Sequence, residues 1–201
     1  MQRIFTADHR RNRVHRLYHR QLLFVLLLIA GAGSSYASAP APTVSQAKYE
    51  IRFMEEMIDH HAMAVMMADA CLERATHPEL LEMCNNIKTS QTNEINEMSS
   101  WLASWYGISY SSQMTPGMMN QVDQLRSLTG AEFEIEFMKQ MIRHHWKAVV
   151  RASRCTEEAY HAELIQTCES IVMTQTEEIR TMQGWLCNWY GICHYGPKAN
   201  R

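Results

Sequence analysis

One stretch of this chain occurs twice. YEIRFMEEMIDHHAMAV begins at Tyr49 and FEIEFMKQMIRHHWKAV at Phe133, an offset of 84 residues. The match runs on without a gap into INEMSSWLASWYGI against IRTMQGWLCNWYGI. From Glu50 to Ile108, 30 of 59 positions are identical to their partners 84 residues later. The chain therefore folds as two related units, and what the copies share marks what each unit needs.

Each unit reads as two helices. Met54, Met57, Ile58, His61, Val65, Ala68 and Leu72 follow the i, i+3, i+4, i+7 spacing of an amphipathic helix. His77-Pro78-Glu79 interrupts the pattern, with Pro78 placed for the first turn of the next helix. Leu80, Cys84, Ile87, Gln91, Ile95, Met98, Leu102 and Trp105 form a second stripe that Gly107 ends. The first hairpin spans residues 48–107 and the second 131–191, turning near Tyr160 to Ala162. A linker at 108–130 contains a short helix near Val122 to Leu128, residues 38–47 are a flexible lead-in, and 192–201 a polar tail. No segment alternates as a strand would. Neither hairpin can bury its stripe alone, so the expected fold is all-α, an antiparallel four-helix bundle built from two repeated hairpins.

Residues 1–37 have the layout of a secretory signal: Arg3, Arg10, Arg11, Arg13, Arg16 and Arg20, then LLFVLLLIA, then GAGSSYASAP with cleavage after Ala37. Leu22 to Ala30 is too short for a permanent membrane span. The expected location is exported, periplasmic or secreted. Residues 1–37 hold six basic and one acidic residue, so the chain's 19 Lys+Arg and 21 Asp+Glu become 13 and 20, a formal charge of −7. That balance argues against nucleic acid or anionic lipid as partner.

All six cysteines lie in the exported part, where an oxidising compartment favours disulfides. Cys71 and Cys84 are 13 residues apart, as are Cys155 and Cys168, and Cys187 and Cys193 remain as a possible third pair. If Cys71 bridges Cys84, residues whose numbers sum to 155 lie level across the hairpin, setting His61 opposite Glu94 and Met57 opposite Met98. In the second unit the same reasoning sets His145 opposite Glu178 and Met141 opposite Met182.

Met54, Met57 and His61 share one helix face, and Met138, Met141 and His145 repeat the arrangement. Thioether sulfur and imidazole nitrogen are poor ligands for hard ions and good ones for Cu(I) or Ag(I). Glu94 and Glu178 can orient His61 and His145 as hydrogen-bond partners or ligate directly. His60, Met63 and Met67 lie on a neighbouring face that is expected to be more exposed and to form an outer copper site. In the second copy, Lys147 and Arg151 follow His144 where Met63 and Met67 follow His60, so the outer site is expected in the first hairpin alone. Met114, Met118 and Met119 in the linker are expected to be exposed sulfurs that capture or pass on an ion.

Two rivals stand beside this reading. Methionines on a helix stripe are commonly core filler, and a buried histidine can serve structure alone, which would make this a disulfide-bonded exported interaction protein. A di-metal carboxylate oxidoreductase would need four Glu and two Glu-x-x-His motifs. Here neither His60 nor His61 has a Glu three residues before it. Nucleophile motifs, phosphate-cradling glycine loops and zinc-binding Cys clusters are lacking, so no enzymatic activity is expected.

FMEEMIDHHAMAVMMA, FMKQMIRHHWKAVV and GMMNQVDQLRSLTGAEFEIEF resemble a bacterial family of ferritin-like four-helix bundles catalogued as a domain of unknown function, the family of the periplasmic copper-binding protein CopM. The resemblance covers nearly the whole exported part. It implies copper binding and copper tolerance through Met54, Met57, His60, His61, Met138, Met141, His144 and His145. Lys147 and Arg151 depart from the pattern. The expected protein binds copper, Cu(I) above all, for sequestration or for delivery to another copper-handling protein.

Overall fold

Local sequence sets the helix ends in the structure, a computed structural model described over residues 39–196. The signal-like segment, its cleavage point and the last five residues of the tail lie outside the described residues. Thr43 caps α1 (Val44–Arg74) by accepting from the Gln46 N–H at 3.2 Å. Pro78 opens α2 (Pro78–Tyr106), and Gly107, at φ 67°, closes it in the left-handed conformation that glycine adopts without penalty. Thr115 caps α3 (Pro116–Arg126) by accepting from the Met118 N–H. Then follow α4 (Gly130–Glu158) and α5 (Ala162–Tyr190). The described residues contain these five helices and no strand, and no helix among them is long and apolar enough to cross a membrane.

Two features depart from expectation. Helix α1 begins inside the segment read as a flexible lead-in. The linker carries an eleven-residue helix that starts at Pro116, not near Val122. Thr115-Pro116 is a capping signal of the same kind as His77-Pro78, and Val122 and Leu125 give α3 an apolar edge that is fully buried.

Helix α1 packs along α2, α4 along α5, and α1 also contacts α4. Disulfides Cys71–Cys84, with Cα atoms 6.2 Å apart, and Cys155–Cys168, at 6.1 Å, pin each helix pair beside its turn. A third, Cys187–Cys193, ties the residues after α5 back to that helix.

The apolar interior forms two clusters. One joins the second half of α1, the first half of α2, α3, the first half of α4 and the end of α5, with Met67, Leu80, Phe133, Phe137 and Met141 at its centre. The other joins the opposite halves, around Met54, Met57, Leu102, Trp105 and Leu164. Each fully buried side chain of this size contributes about 1.5–3 kcal/mol.

A reciprocal pair of buried carboxylates locks the repeats together. Glu50, at the start of α1, accepts the Tyr160 and His161 backbone N–H groups at 2.7 and 2.8 Å and the Tyr106 hydroxyl at 2.5 Å. Its other contact is the His161 ring, Nδ1 at 2.6 Å. Its equivalent Glu134 takes the Thr76 and His77 N–H groups at 2.5 and 3.0 Å, the His77 ring at 2.5 Å, and the Tyr190 hydroxyl. Each ring lies flat on a tryptophan, His161 on Trp105 at 3.8 Å and His77 on Trp189 at 4.0 Å between centroids. So each repeat caps the other's interhelical turn. Burial works to raise both carboxyls, but the donated hydrogen bonds win. Glu50 is shifted below the ordinary value, and Glu134 falls from 4.5 to about 2.

Candidate metal centre

Between the two apolar clusters every long helix turns polar at the same level. Helix α1 does so at His60 and His61, α2 at Gln91 and Glu94, α4 at His144 and His145, α5 at Gln175 and Glu178. The level follows from the register that the disulfides impose. His61 Nε2 lies 2.7 Å from Glu94 Oε2, and His145 Nε2 lies 2.8 Å from Glu178 Oε2. At these distances the two carboxylates are the partners of these ring nitrogens.

The four imidazoles run across the α1–α4 contact. Ring centroids are 6.1 Å apart from His61 to His60, 3.5 Å from His60 to His144, and 6.3 Å from His144 to His145. His60 and His144 stack with 29° between their planes. Burial holds both well below the ordinary imidazole value. The neighbouring histidines act in the same direction on both, as do Lys147 on both and Arg151 on His60. Both rings are thus neutral at pH 7, the form with a lone pair to give.

Methionines flank this layer on both sides. Met54, Met57 and Met98 are fully buried in one apolar cluster; Met138, Met141 and Met182 are fully buried in the other. Met57 and Met98 share a cluster as the register requires, and so do Met141 and Met182.

The outer face needs correcting. His60 is 6 % exposed, Met63 6 % and Met67 0 %, so these side chains are buried against α4 and α3 and not displayed to solvent. Nor do they form a site of the first repeat alone, since His60 faces His144 directly. Both rings, with Met63, Met67 and Met118, line a crevice of ≈ 320 Å³ that Lys147 and Arg151 also border. Met114, Met118 and Met119 are half-buried, and the first two pack on the apolar cluster beneath them.

What distinguishes the four histidines is that six of their eight ring nitrogens, both on His60 and His144 and Nδ1 on His61 and His145, are buried without a partner, while His61 Nε2 and His145 Nε2 meet Glu94 and Glu178. His161 shows the alternative in the same molecule: its two ring nitrogens meet Glu50 at 2.6 Å and the Ala39 carbonyl at 2.9 Å. A buried imidazole with no partner costs about 1–3 kcal/mol, and an ordered water or an ion satisfies such groups. Among the described residues no three His, Cys, Asp or Glu side chains converge as a carboxylate metal site would require. The available donors are imidazole and thioether, a set that fits a soft monovalent ion.

Several buried polar residues escaped the periodicity reading. Glu50, Glu134, His77 and His161 form the interrepeat locks, and Gln91 and Gln175 complete the polar level. All six are identical between copies, which is the signal that could have found them.

CopM in its Cu(I)-bound form is similar to this chain, with 34% identity and a TM-score of 0.64, covering 71% of this chain and 98% of that one. CopM in its Cu(II)-bound form is 35% identical at a TM-score of 0.63, covering 70% and 97%. CopM co-crystallised with Ag gives the same identity and TM-score. The uncharacterized protein L153 of Acanthamoeba polyphaga mimivirus is 39% identical over 51 residues, which is 25% of this chain and 34% of that protein. Residues 50–186 match the family described as Domain of unknown function (DUF305), and the chain belongs to that family.

Proposed function

We propose that this chain is an exported copper-binding protein without enzymatic activity. It is an antiparallel four-helix bundle of the ferritin-like kind that holds Cu(I), or Ag(I) in its place, for sequestration or delivery. The observation that carries the reading is the set of six unpartnered ring nitrogens on His60, His61, His144 and His145, buried between two groups of thioethers. Met54, Met57 and Met98 serve the His61 side and Met138, Met141 and Met182 the His145 side, with Glu94 and Glu178 orienting the rings. Met63 and Met67 serve the shared His60–His144 centre. Similarity to CopM, solved with copper and with silver, supports the metal. Three disulfides and the signal-like first 37 residues support export.

The test is an anaerobic titration of residues 38–201 with Cu(I), read by native mass spectrometry and by melting temperature. Binding to the native state alone must raise the melting temperature. Discrete copper adducts with a raised melting temperature are expected. Absence of adducts, or equal stabilisation by Zn(II), would sink the reading.

A further inference from the structure

The crevice over His60 and His144 has the wrong charge for a bare cation. Of its acidic residues, Asp59 is engaged by the Tyr110 hydroxyl at 2.9 Å and the Gln113 N–H at 2.6 Å, and Glu56 lies 3.5 Å from Arg52. On the basic side Arg143 meets Glu136 at 3.4 Å and the Tyr195 hydroxyl. Lys147 and Arg151 remain, both exposed and neither with an ion pair or hydrogen bond among the described residues. Neutral donors hold Asp59 without cancelling its charge, so the charges outside ion pairs at the mouth are Asp59 against Lys147 and Arg151, a net positive balance, although residues 38–201 carry a formal charge of −7.

The repeat sharpens the point. Lys147 and Arg151 occupy the positions that Met63 and Met67 hold in the first copy. One wall of the crevice thus offers thioethers, the opposite wall two cations without ion pairs, and the floor two imidazoles with unpartnered nitrogens. A bare monovalent cation gains from the sulfur and nitrogen and is repelled by the charge. A soft metal carrying anionic ligands gains from both walls.

Resting on the copper reading above, we propose that this crevice admits the metal as a small anionic Cu(I) complex, of the halide or thiolate class, with Lys147 and Arg151 drawing in its anionic ligands. Transfer is then ligand exchange. Imidazole nitrogen and thioether sulfur form bonds to copper, the copper–anion bonds break, the anions leave past Lys147 and Arg151, and copper stays Cu(I). No electron moves and no co-reactant is needed. Electrostatic attraction at a charged cleft accelerates capture by about ten-fold or more at low salt.

The experiment is anaerobic stopped-flow uptake by residues 38–201 from two carriers at equal ionic strength: dichlorocuprate(I) in chloride, and the cationic tetrakis(acetonitrile) Cu(I) complex in perchlorate. The chain is compared with Lys147→Gln/Arg151→Gln, which removes both charges without adding sulfur. The expected result is a several-fold slower uptake from dichlorocuprate(I) in the variant, with uptake from the acetonitrile complex unchanged or faster. Loss of equal size from both carriers, or no change from either, overturns the proposal while leaving copper binding intact. No uptake by the unaltered chain from either carrier overturns the copper reading itself. Lys147→Met/Arg151→Met, which copies the first repeat's side chains, is the second variant. It must show the same carrier dependence, and slow uptake from both carriers would again overturn the proposal.

Discussion

If His60 and His144 are kept for a metal, removing them stabilises the metal-free protein. Each ring carries at least one buried N–H and one buried nitrogen lone pair, and all four ring nitrogens lack partners. Leaving such a group unsatisfied costs about 1–3 kcal/mol. Replacing both partners of a buried polar contact by apolar groups of similar shape is neutral or favourable. His60→Leu/His144→Leu removes two such rings and forfeits one stacked pair, worth about 0.5–1.5 kcal/mol. The double variant should therefore gain about 0.5–5.5 kcal/mol. Urea unfolding followed by circular dichroism, with a copper chelator present and disulfides intact, measures it. Adding Cu(I) at a hundred times its Kd should raise the unaltered chain by about 2.7 kcal/mol and the variant by less. A metal-free variant less stable than the parent by more than about 1 kcal/mol would show that the rings serve structure, and would refute the reasoning.

Glu134→Gln should destabilise the chain by about 3 kcal/mol at pH 7, since the carboxyl falls from 4.5 to about 2 on folding. A depressed carboxylate stabilises above its unfolded value, so this difference should shrink as pH falls from about 4.5 toward 2, which urea unfolding at each pH will read. His60 and His144 are shifted below 6.5, so their neutral form persists as pH falls through the ordinary imidazole range, and copper affinity should stay flat down to 6.5 and weaken only below it in a chelator competition. The same depression means that the metal-free fold loses stability as pH drops below 6.5, because the unfolded chain then takes up more protons. Because the two rings stack in one centre, His60→Ala and His144→Ala should lose equal amounts of copper by mass spectrometry. Cys71→Ser/Cys84→Ser should lower stability by about 3 kcal/mol, the chain entropy of a loop this short, measured as a drop in melting temperature.

The register across each helix pair was legible because the cysteine spacing is repeated. A single assumed bridge set His61 level with Glu94, and the two lie 2.7 Å apart. Helix stripes and ends are legible from spacing, proline and glycine, except at α3, whose start is set by the Thr115-Pro116 cap and not by the apolar spacing around Val122. Contacts between the repeats were not legible. Periodicity around a helix separates buried from exposed faces, but it does not say that the His60 face meets its counterpart on α4. Spacing alone therefore points that face outward, although Met67 is fully buried there. Glu50 illustrates the same limit: its partner His161 is 111 residues away, and nothing local to either residue announces the pairing.

Copper K-edge X-ray absorption of the Cu(I)-loaded, disulfide-intact chain tests the central claim most directly, because the six cysteines are all bridged and any sulfur bound to copper must come from methionine. The account predicts a first shell containing both sulfur and imidazole nitrogen. The sulfur component should fall when Met57 and Met141 are replaced by leucine, and the imidazole component when His61 and His145 are. A shell of nitrogen and oxygen alone, unchanged by either pair of substitutions, would contradict it.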